Sequence, residues 1–136
     1  MMENCIFCKI VKGEVSSNKI YETDRTLVFL DANPISKGHS LIISKEHHED
    51  IFNIDEGYLK DIIITAKELS KKMKRNLGVS GVNILHASGK DAQQSVFHFH
   101  IHLVPRYEND GLNAWPKSDY KQENFEEIAN KIRGKS

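Results

Sequence analysis

The best strand pattern in this 136-residue chain runs from Val96 to Val104 and contains three histidines. Its sequence is VFHFHIHLV, in which apolar residues at 97, 99, 101 and 103 alternate with histidines at 98, 100 and 102. Side chains on a β-strand point to opposite faces in turn, so the apolar set and the three imidazoles are expected on opposite faces. Pro105 is expected to end the strand because it cannot donate a ladder hydrogen bond. The segment therefore requires a sheet with one apolar face.

The rest of the chain predicts an α+β fold, with an antiparallel β-sheet of about five strands covered by helices on one face. Further strands are predicted from short runs of branched and apolar residues, at 19–21, 26–30, 39–44 and 81–86. Asp55 is a predicted N-cap for one long helix that ends before Gly78, and short helices are predicted near both termini, at 5–13 and 125–132. A single domain is expected over residues 1–136, with 107–136 as a variable tail.

The charge balance argues against a polyanionic partner. Lysine plus arginine equals aspartate plus glutamate, at 19 each, so no net field exists to hold a nucleic acid polymer or an anionic membrane surface. No apolar run reaches the length of a spanning helix, and residues 1–5 lack the basic start and apolar run of a signal peptide. The only cysteines, Cys5 and Cys8, are too few for a secreted disulfide framework. These features predict a cytoplasmic protein.

Three histidines on one strand face limit the metal chemistry available there. Successive imidazoles on that face are spaced by roughly 6.6 Å, so His98 and His102 are expected about 13 Å apart. All three rings would be strained to share one metal, whose bonds to nitrogen are about 2.0 to 2.1 Å long. A face of solvated histidines is the better interpretation for a single histidine, but not for three in strict alternation. Adjacent imidazoles can divide nucleophilic attack, orientation and proton delivery among themselves.

The segment from Gln94 to Val104 resembles the signature of the histidine triad, or HIT, family. The family pattern is histidine, apolar, histidine, apolar, histidine, apolar, apolar, and the chain matches it at every position from His98 onward. The similarity extends upstream through CIFCKI at 5–10, LVFLD at 27–31 and GHSLII at 38–43, and covers nearly the whole chain up to Arg106. The pattern is similar to the Hint branch, in particular to bacterial, zinc-containing purine nucleotide phosphoramidases, and implies a HIT-like fold.

The resemblance implies a covalent reaction at a nucleotide phosphorus. His100, the middle histidine, would attack the α-phosphorus and become nucleotidylated, and water would then release the monophosphate. His98 and His102 complete the triad, and His102 would contact the phosphate and the leaving group. The implied nucleotide contacts are Gln94 and Ser95 to the phosphate, Asp31 to the ribose hydroxyls, and Ile6, Phe7 and Phe29 around the base. Without the triad, Asp31 would be interpreted as a turn residue and Phe29 as a core residue.

Cys5 and Cys8 form a Cys-x-x-Cys pair, a spacing that serves zinc binding, redox exchange or no function. A redox motif is expected after a strand, and only four residues precede Cys5. Zinc needs two more ligands, and the resemblance implies His47 and His98, which complete a closed and therefore structural site. His98 would then anchor the catalytic strand, and His48 would be a surface residue. The alternative is a metal-free His98 that orients the other histidines, with both thiols free.

The implied substrates are purine nucleoside phosphoramidates of the AMP or GMP type, or the related aminoacyl adenylates and dinucleoside polyphosphates. The resemblance also implies a homodimer, with the helix at 55–77 and the strand after Gly81 as its interface. A nucleotide-binding module with little turnover is the alternative from another class, and the retained His100 weighs against it.

Three residues carry no firm assignment. Relatives often have asparagine where this chain has Ala87, and Ser88 or His86 could replace that contact. His39 aligns with a histidine near the family's site, and as a single residue it is equally well explained as structural. Trp115 could cap the pocket or pack against the sheet.

Overall fold

A five-stranded antiparallel sheet organises residues 2–135, the part of the chain that this computed structural model describes. Its strands are β1 (Lys19–Glu22), β2 (Thr26–Leu30), β3 (Ser40–Ser44), β4 (Gly81–Leu85) and β5 (His100–Arg106), in the spatial order β1-β2-β3-β5-β4. The helices are α1 (Ile6–Val11), α2 (Glu56–Leu77) and α3 (Phe125–Arg133). The predicted α+β class and its one long helix are confirmed. Met1 and Ser136, the end residues of the predicted domain, lie outside the described residues.

The long helix α2 begins and ends where the sequence predicts. The Asp55 side chain accepts the backbone N–H of Gly57 at 3.0 Å, which satisfies one of the unpaired donors of the first turn. Gly78 ends the helix in the left-handed conformation, with φ of 72°, which a residue without Cβ adopts at little cost. Between these caps, the buried face of the helix carries Ile62, Thr65, Ala66, Leu69 and Met73.

Helices cover both faces of the sheet, which corrects the prediction of helices on one face only. On one face α2 packs in a buried cluster with Val28, Ile42, Ile101 and Leu103. On the opposite face α1 contributes Phe7 and Ile10 to a second cluster, whose other members are Leu27, Phe29, Leu41 and Ile43. The physical reason is the composition of β2 and β3, where consecutive residues are apolar, so that one covering layer would leave half of them in water.

Strand β5 begins and ends later than predicted. It starts at His100, because the preceding backbone leaves the sheet and Phe99 donates its N–H to the carbonyl of His48 at 2.7 Å. It continues through Pro105 to Arg106. Strand β3 pairs with β5 only as far as Leu103, so Pro105 lies where β5 has β4 as its single neighbour, and a proline is tolerated there as on an edge strand.

The segment after β5 leaves the sheet. Arg106 forms a two-pronged ion pair with Asp110 at 2.8 Å for each nitrogen, and this holds the first turn of the segment. Further on, α3 buries none of its residues, and Trp115 is 81% exposed. Neither predicted location of Trp115, over the pocket or against the sheet, matches this exposure. Among residues 2–135, no helix combines the length and the apolar composition needed to cross a membrane.

Candidate active site and metal centre

His100 is held in one defined state on the α1 face of the sheet. Its Nδ1 lies 2.7 Å from the backbone carbonyl of His98, and a carbonyl can only accept, so Nδ1 carries the hydrogen. In the neutral ring, Nε2 is left with a free lone pair. The His100 side chain is buried, and its ring packs edge to face with that of Phe7, with centroids 5.1 Å apart. Burial lowers the pKa of His100. The ring is therefore a neutral imidazole with one available nucleophilic nitrogen.

A second chain of hydrogen bonds fixes His102. The backbone N–H of Ile35 donates a hydrogen bond to Nδ1 of His39 at 3.1 Å. Because Nδ1 is the acceptor, the hydrogen of the His39 ring is on Nε2. That Nε2 lies 2.9 Å from Nδ1 of His102, so His102 accepts there and carries its own hydrogen on Nε2. Burial, followed by the neighbouring His100 and His39, lowers the pKa of His102 to about 4. His39, which the sequence left without an assignment, thus sets the tautomer of His102.

His100 and His102 face a pocket of about 700 Å³, within the usual size range for small-molecule sites. The lining includes the predicted residues Ile6, Phe7, Phe29, Asp31 and Ser95, together with Ile10, His39, Leu41 and Leu85. Leu85, His102, Leu41 and Phe29 are cross-strand neighbours on β4, β5, β3 and β2, so they form one continuous row across the sheet. Leu41 and Leu85 were not predicted from the sequence, because a strand pattern does not give the register with its neighbours.

Asp31 serves a turn and the pocket at the same time. One carboxylate oxygen accepts the N–H of Asn33 at 2.8 Å, as in an Asx turn, and the other lies 3.4 Å from Nε2 of His39. Gln94 does not line the pocket. Its side-chain amide binds three backbone groups, donating to the carbonyls of Glu49 and Val96 and accepting the N–H of Gly89. Gln94 therefore fixes the loop that presents Ser95.

Cys5, Cys8, His47 and His98 bring four ligand atoms together beside α1. All four atoms lie within 4.8 Å of one another, and neither cysteine is in a disulfide. Nδ1 of His98 is 3.3 Å from Sγ of Cys5, 3.6 Å from Sγ of Cys8 and 3.1 Å from Nδ1 of His47. Ligand atoms around a tetrahedral zinc with ordinary bond lengths are separated by about 3.3 to 3.8 Å, so the set fits this ion closely.

The tautomer of His98 supports the same interpretation. Its Nε2 lies 2.6 Å from the carbonyl of Ser44, so Nε2 donates and the lone pair of Nδ1 points to the cluster. Burial lowers the pKa of His98 to about 4, which keeps this lone pair free. Asp31, His39 and His102 also lie close enough to hold an ion. There, however, Nδ1 of His39 accepts the N–H of Ile35, so its Nε2 carries the hydrogen and offers a metal no lone pair.

Comparison with known families agrees with this geometry. The profile of the HIT domain matches residues 12–109, which include β1 to β5 and both pocket histidines of β5. The chain belongs to the HIT domain family. An adenosine 5'-monophosphoramidase of Candida albicans is 44% identical over 119 residues, which are 83% of this chain and 78% of that protein.

Two solved structures are also similar to this HIT domain. A HIT family protein from Bacillus anthracis superposes with a TM-score of 0.87 and 40% identity, covering 98% of each chain. A zinc-bound histidine triad family protein from Mycobacterium smegmatis superposes with a TM-score of 0.78 and 33% identity, covering 85% of this chain and 84% of that one.

Two features of this HIT domain differ from the expectations drawn from its sequence. Neither Ser88 nor His86, the two residues considered as substitutes for a contact at position 87, is among the residues that line the pocket. The His86 ring instead packs against the ring of Phe99, a member of the buried cluster beneath α2. His48 is half-buried rather than a simple surface residue, since its ring lies 4.9 Å from that of Tyr58 between centroids.

Proposed function

We propose that this HIT domain is a nucleotide hydrolase that cleaves purine nucleoside phosphoramidates, as expected for the Hint branch, through a nucleotidyl-His100 intermediate. The observation that carries the proposal is the state of His100, a buried neutral imidazole whose Nδ1–H is held by the carbonyl of His98 and whose Nε2 lone pair is free at the pocket. Relatives named adenosine 5'-monophosphoramidase, at 39–44% identity, support this substrate class.

The pocket offers each part of such a nucleotide a matching surface. Ile6, Phe7 and Phe29 provide an apolar and aromatic wall for a purine, with the two phenylalanine rings edge to face at 5.8 Å. The carboxylate of Asp31 can accept hydrogen bonds from both ribose hydroxyls. Ser95 and the Nε2–H of His102 can donate to the phosphate oxygens. Direct donation to a phosphoryl group is worth most where charge develops in the transition state.

The reaction runs in two displacements at phosphorus. In the first, Nε2 of His100 forms a bond to phosphorus as the bond to the amine breaks, and the departing amine takes a proton from solvent while the Nε2–H of His102 donates a hydrogen bond to the phosphate. In the second, water attacks phosphorus and the bond to Nε2 breaks, which releases the nucleoside monophosphate. The attacking water gives its proton to solvent. His100 ends neutral, with its hydrogen still on Nδ1.

Trapping the intermediate tests this function. Wild type and His100→Ala are mixed with adenosine 5'-phosphoramidate, quenched in base and analysed by mass spectrometry for an adenylate on residue 100. We expect an adduct in wild type only, and turnover lower by roughly three orders of magnitude or more in the variant, because the covalent route is lost. Retained AMP binding by His100→Ala shows that the pocket is intact. If wild type binds AMP but forms no adduct and does not turn over, the chain is a binding module and the enzyme proposal fails.

The metal centre belongs to the proposal as a structural zinc site. Cys5, Cys8, His47 and His98 would hold the ion, and four protein ligands leave no open position for substrate. Zinc would stabilise the fold by linking α1 to His98, which lies two residues before the proposed nucleophile. The zinc-bound relative from Mycobacterium smegmatis supports this assignment.

A homodimer through β4 and α2 is also part of the proposal. β4 is an edge strand, and Ile84 on it is 48% exposed. On α2, Ile63 and Ile64 are 49% and 61% exposed. An open strand edge beside exposed apolar side chains is a surface that proteins usually cover.

A further inference from the structure

His86 lies one residue beyond β4 and reaches the backbone of the proposed nucleophile. Its Nδ1 is 2.8 Å from the carbonyl oxygen of His100. Since that oxygen can only accept, Nδ1 carries the hydrogen and donates it. The ring packs against that of Phe99, with centroids 4.5 Å apart and an interplanar angle of 30°, and this contact restricts its orientation. The side chain thus contacts the residue that carries the nucleophile without entering the pocket.

This hydrogen bond lies where the backbone ladder is missing. β4 pairs with β5 from Gly81 opposite Arg106 to Leu85 opposite His102, and stops two residues short of His100. On the other side, β3 pairs with His100 through Ile43. His100 is the first residue of β5, so no strand precedes it to hold its position. His86 therefore supplies from its side chain the support that β4 no longer gives through its backbone.

The other nitrogen of His86 is also engaged. With the hydrogen on Nδ1, Nε2 accepts from the hydroxyl of Ser88, and that oxygen accepts the N–H of Ile51 at 2.9 Å. A chain of donors therefore runs from Ile51 through Ser88 and His86 to the carbonyl of His100. Linked hydrogen bonds polarise and strengthen one another. This chain couples the segment between β3 and α2 to the start of β5.

We propose that His86 is a positioning residue for His100. His86 holds the backbone carbonyl of His100. This contact keeps the His100 ring where its own Nδ1–H binds the carbonyl of His98 and its own Nε2 faces the phosphorus. The inference rests on the proposed function, in which small displacements of a nucleophile cost large factors in rate. It assigns His86 no contact with substrate.

Two variants separate the hydrogen bond from the ring. His86→Phe keeps the aromatic contact with Phe99 and removes both hydrogen bonds, while His86→Asn carries an amide nitrogen near the position of Nδ1. We expect His86→Phe to form the adenylate on His100 about tenfold more slowly in a single turnover, with AMP affinity within twofold of wild type. His86→Asn should recover most of the rate. In the free protein, NMR of ¹⁵N-labelled imidazoles should show faster solvent exchange of the His100 Nδ1 hydrogen in His86→Phe, and normal exchange in His86→Asn.

The exchange measurement needs no turnover, so the two proposals fail separately. If wild type forms no adduct, the proposed function is wrong, and exchange alone decides the role of His86. Unchanged exchange in His86→Phe overturns the positioning role. An adenylation rate equal to that of wild type also overturns it, as does equal slowing in both variants.

Discussion

At the scale of single residues, the site depends on which nitrogen of each imidazole carries a hydrogen. Backbone carbonyls and a backbone N–H decide this for His98, His100 and His39, and His39 in turn decides it for His102. His100, the proposed nucleophile, and His102, the proposed phosphate contact, therefore carry their hydrogens on different nitrogens because their partners differ. Nothing in the alternating sequence of the strand distinguishes these states, because they are set by groups on other segments.

The same burial makes the unfolding free energy depend on pH. His102 has its pKa lowered from 6.5 to about 4, so as pH falls below 6.5 the unfolded chain takes up a proton that the folded chain resists. The contribution of His102 to the free energy of unfolding is therefore complete above pH 6.5 and is lost as the pH falls towards 4. Because the ring is partly exposed, we expect this loss to be on the order of 2 kcal/mol. Urea titrations of wild type and His102→Asn across this range measure the effect.

His98 contributes to the same fall, so the informative quantity is the difference between the two proteins. The loss of stability should be smaller in His102→Asn. Parallel curves for the two proteins would contradict the assignment.

At the scale of elements, α1 connects the proposed metal centre to the pocket. Cys8 on this helix and Cys5 at its N-cap would supply two ligands of the proposed metal site. Phe7 packs against the rings of His98 and His100, with ring centroids 5.7 and 5.1 Å apart. A helix of six residues has little stability of its own. Its position is therefore expected to depend on the metal and on the apolar cluster beneath it.

Metal removal tests this dependence with two adjacent histidines as a matched pair. We expect about one zinc per chain in wild type and in His48→Asn, and little in His47→Asn, because only His47 belongs to the ligand set. Chelation should lower the melting temperature of wild type and of His48→Asn, but should change that of His47→Asn little. Elemental analysis and thermal melts provide both readouts. A full equivalent of zinc in His47→Asn, or equal loss in both variants, would refute the site.

At the scale of the whole molecule, the two edges of the sheet provide a test of the proposed dimer. β4 forms one edge, with Ile84 exposed, and β1 forms the other, with Ile20 exposed to a similar degree, 42%. A charge on the interface edge should separate the protomers, because a lysine there would be buried without a partner. We expect Ile84→Lys to sediment as a monomer and Ile20→Lys to sediment as wild type in analytical ultracentrifugation. A monomeric wild type, or a dimeric Ile84→Lys, would rule out this interface.

The sequence alone predicted the features that arise from local pattern. The alternation at 96–104 predicted the histidine strand, which the structure has from His100 onward. Asp55 and Gly78 marked the ends of α2, and the triad signature singled out His100 as the expected nucleophile. The helix ends and the strand from His100 onward could be predicted because helix capping and strand alternation are properties of neighbouring residues, while the role of His100 stays a prediction.

Only the tertiary structure decided the features that join distant residues. It placed α1 on the second face of the sheet, started β5 at His100 and carried it through Pro105. It also placed Leu41 and Leu85 beside His102 in the pocket. It brought His39 into contact with His102, and His86 into contact with the carbonyl of His100. Each depends on strand register or on a contact between residues far apart in sequence. The sequence pattern of one segment does not determine which carbonyl or ring another segment will place beside it.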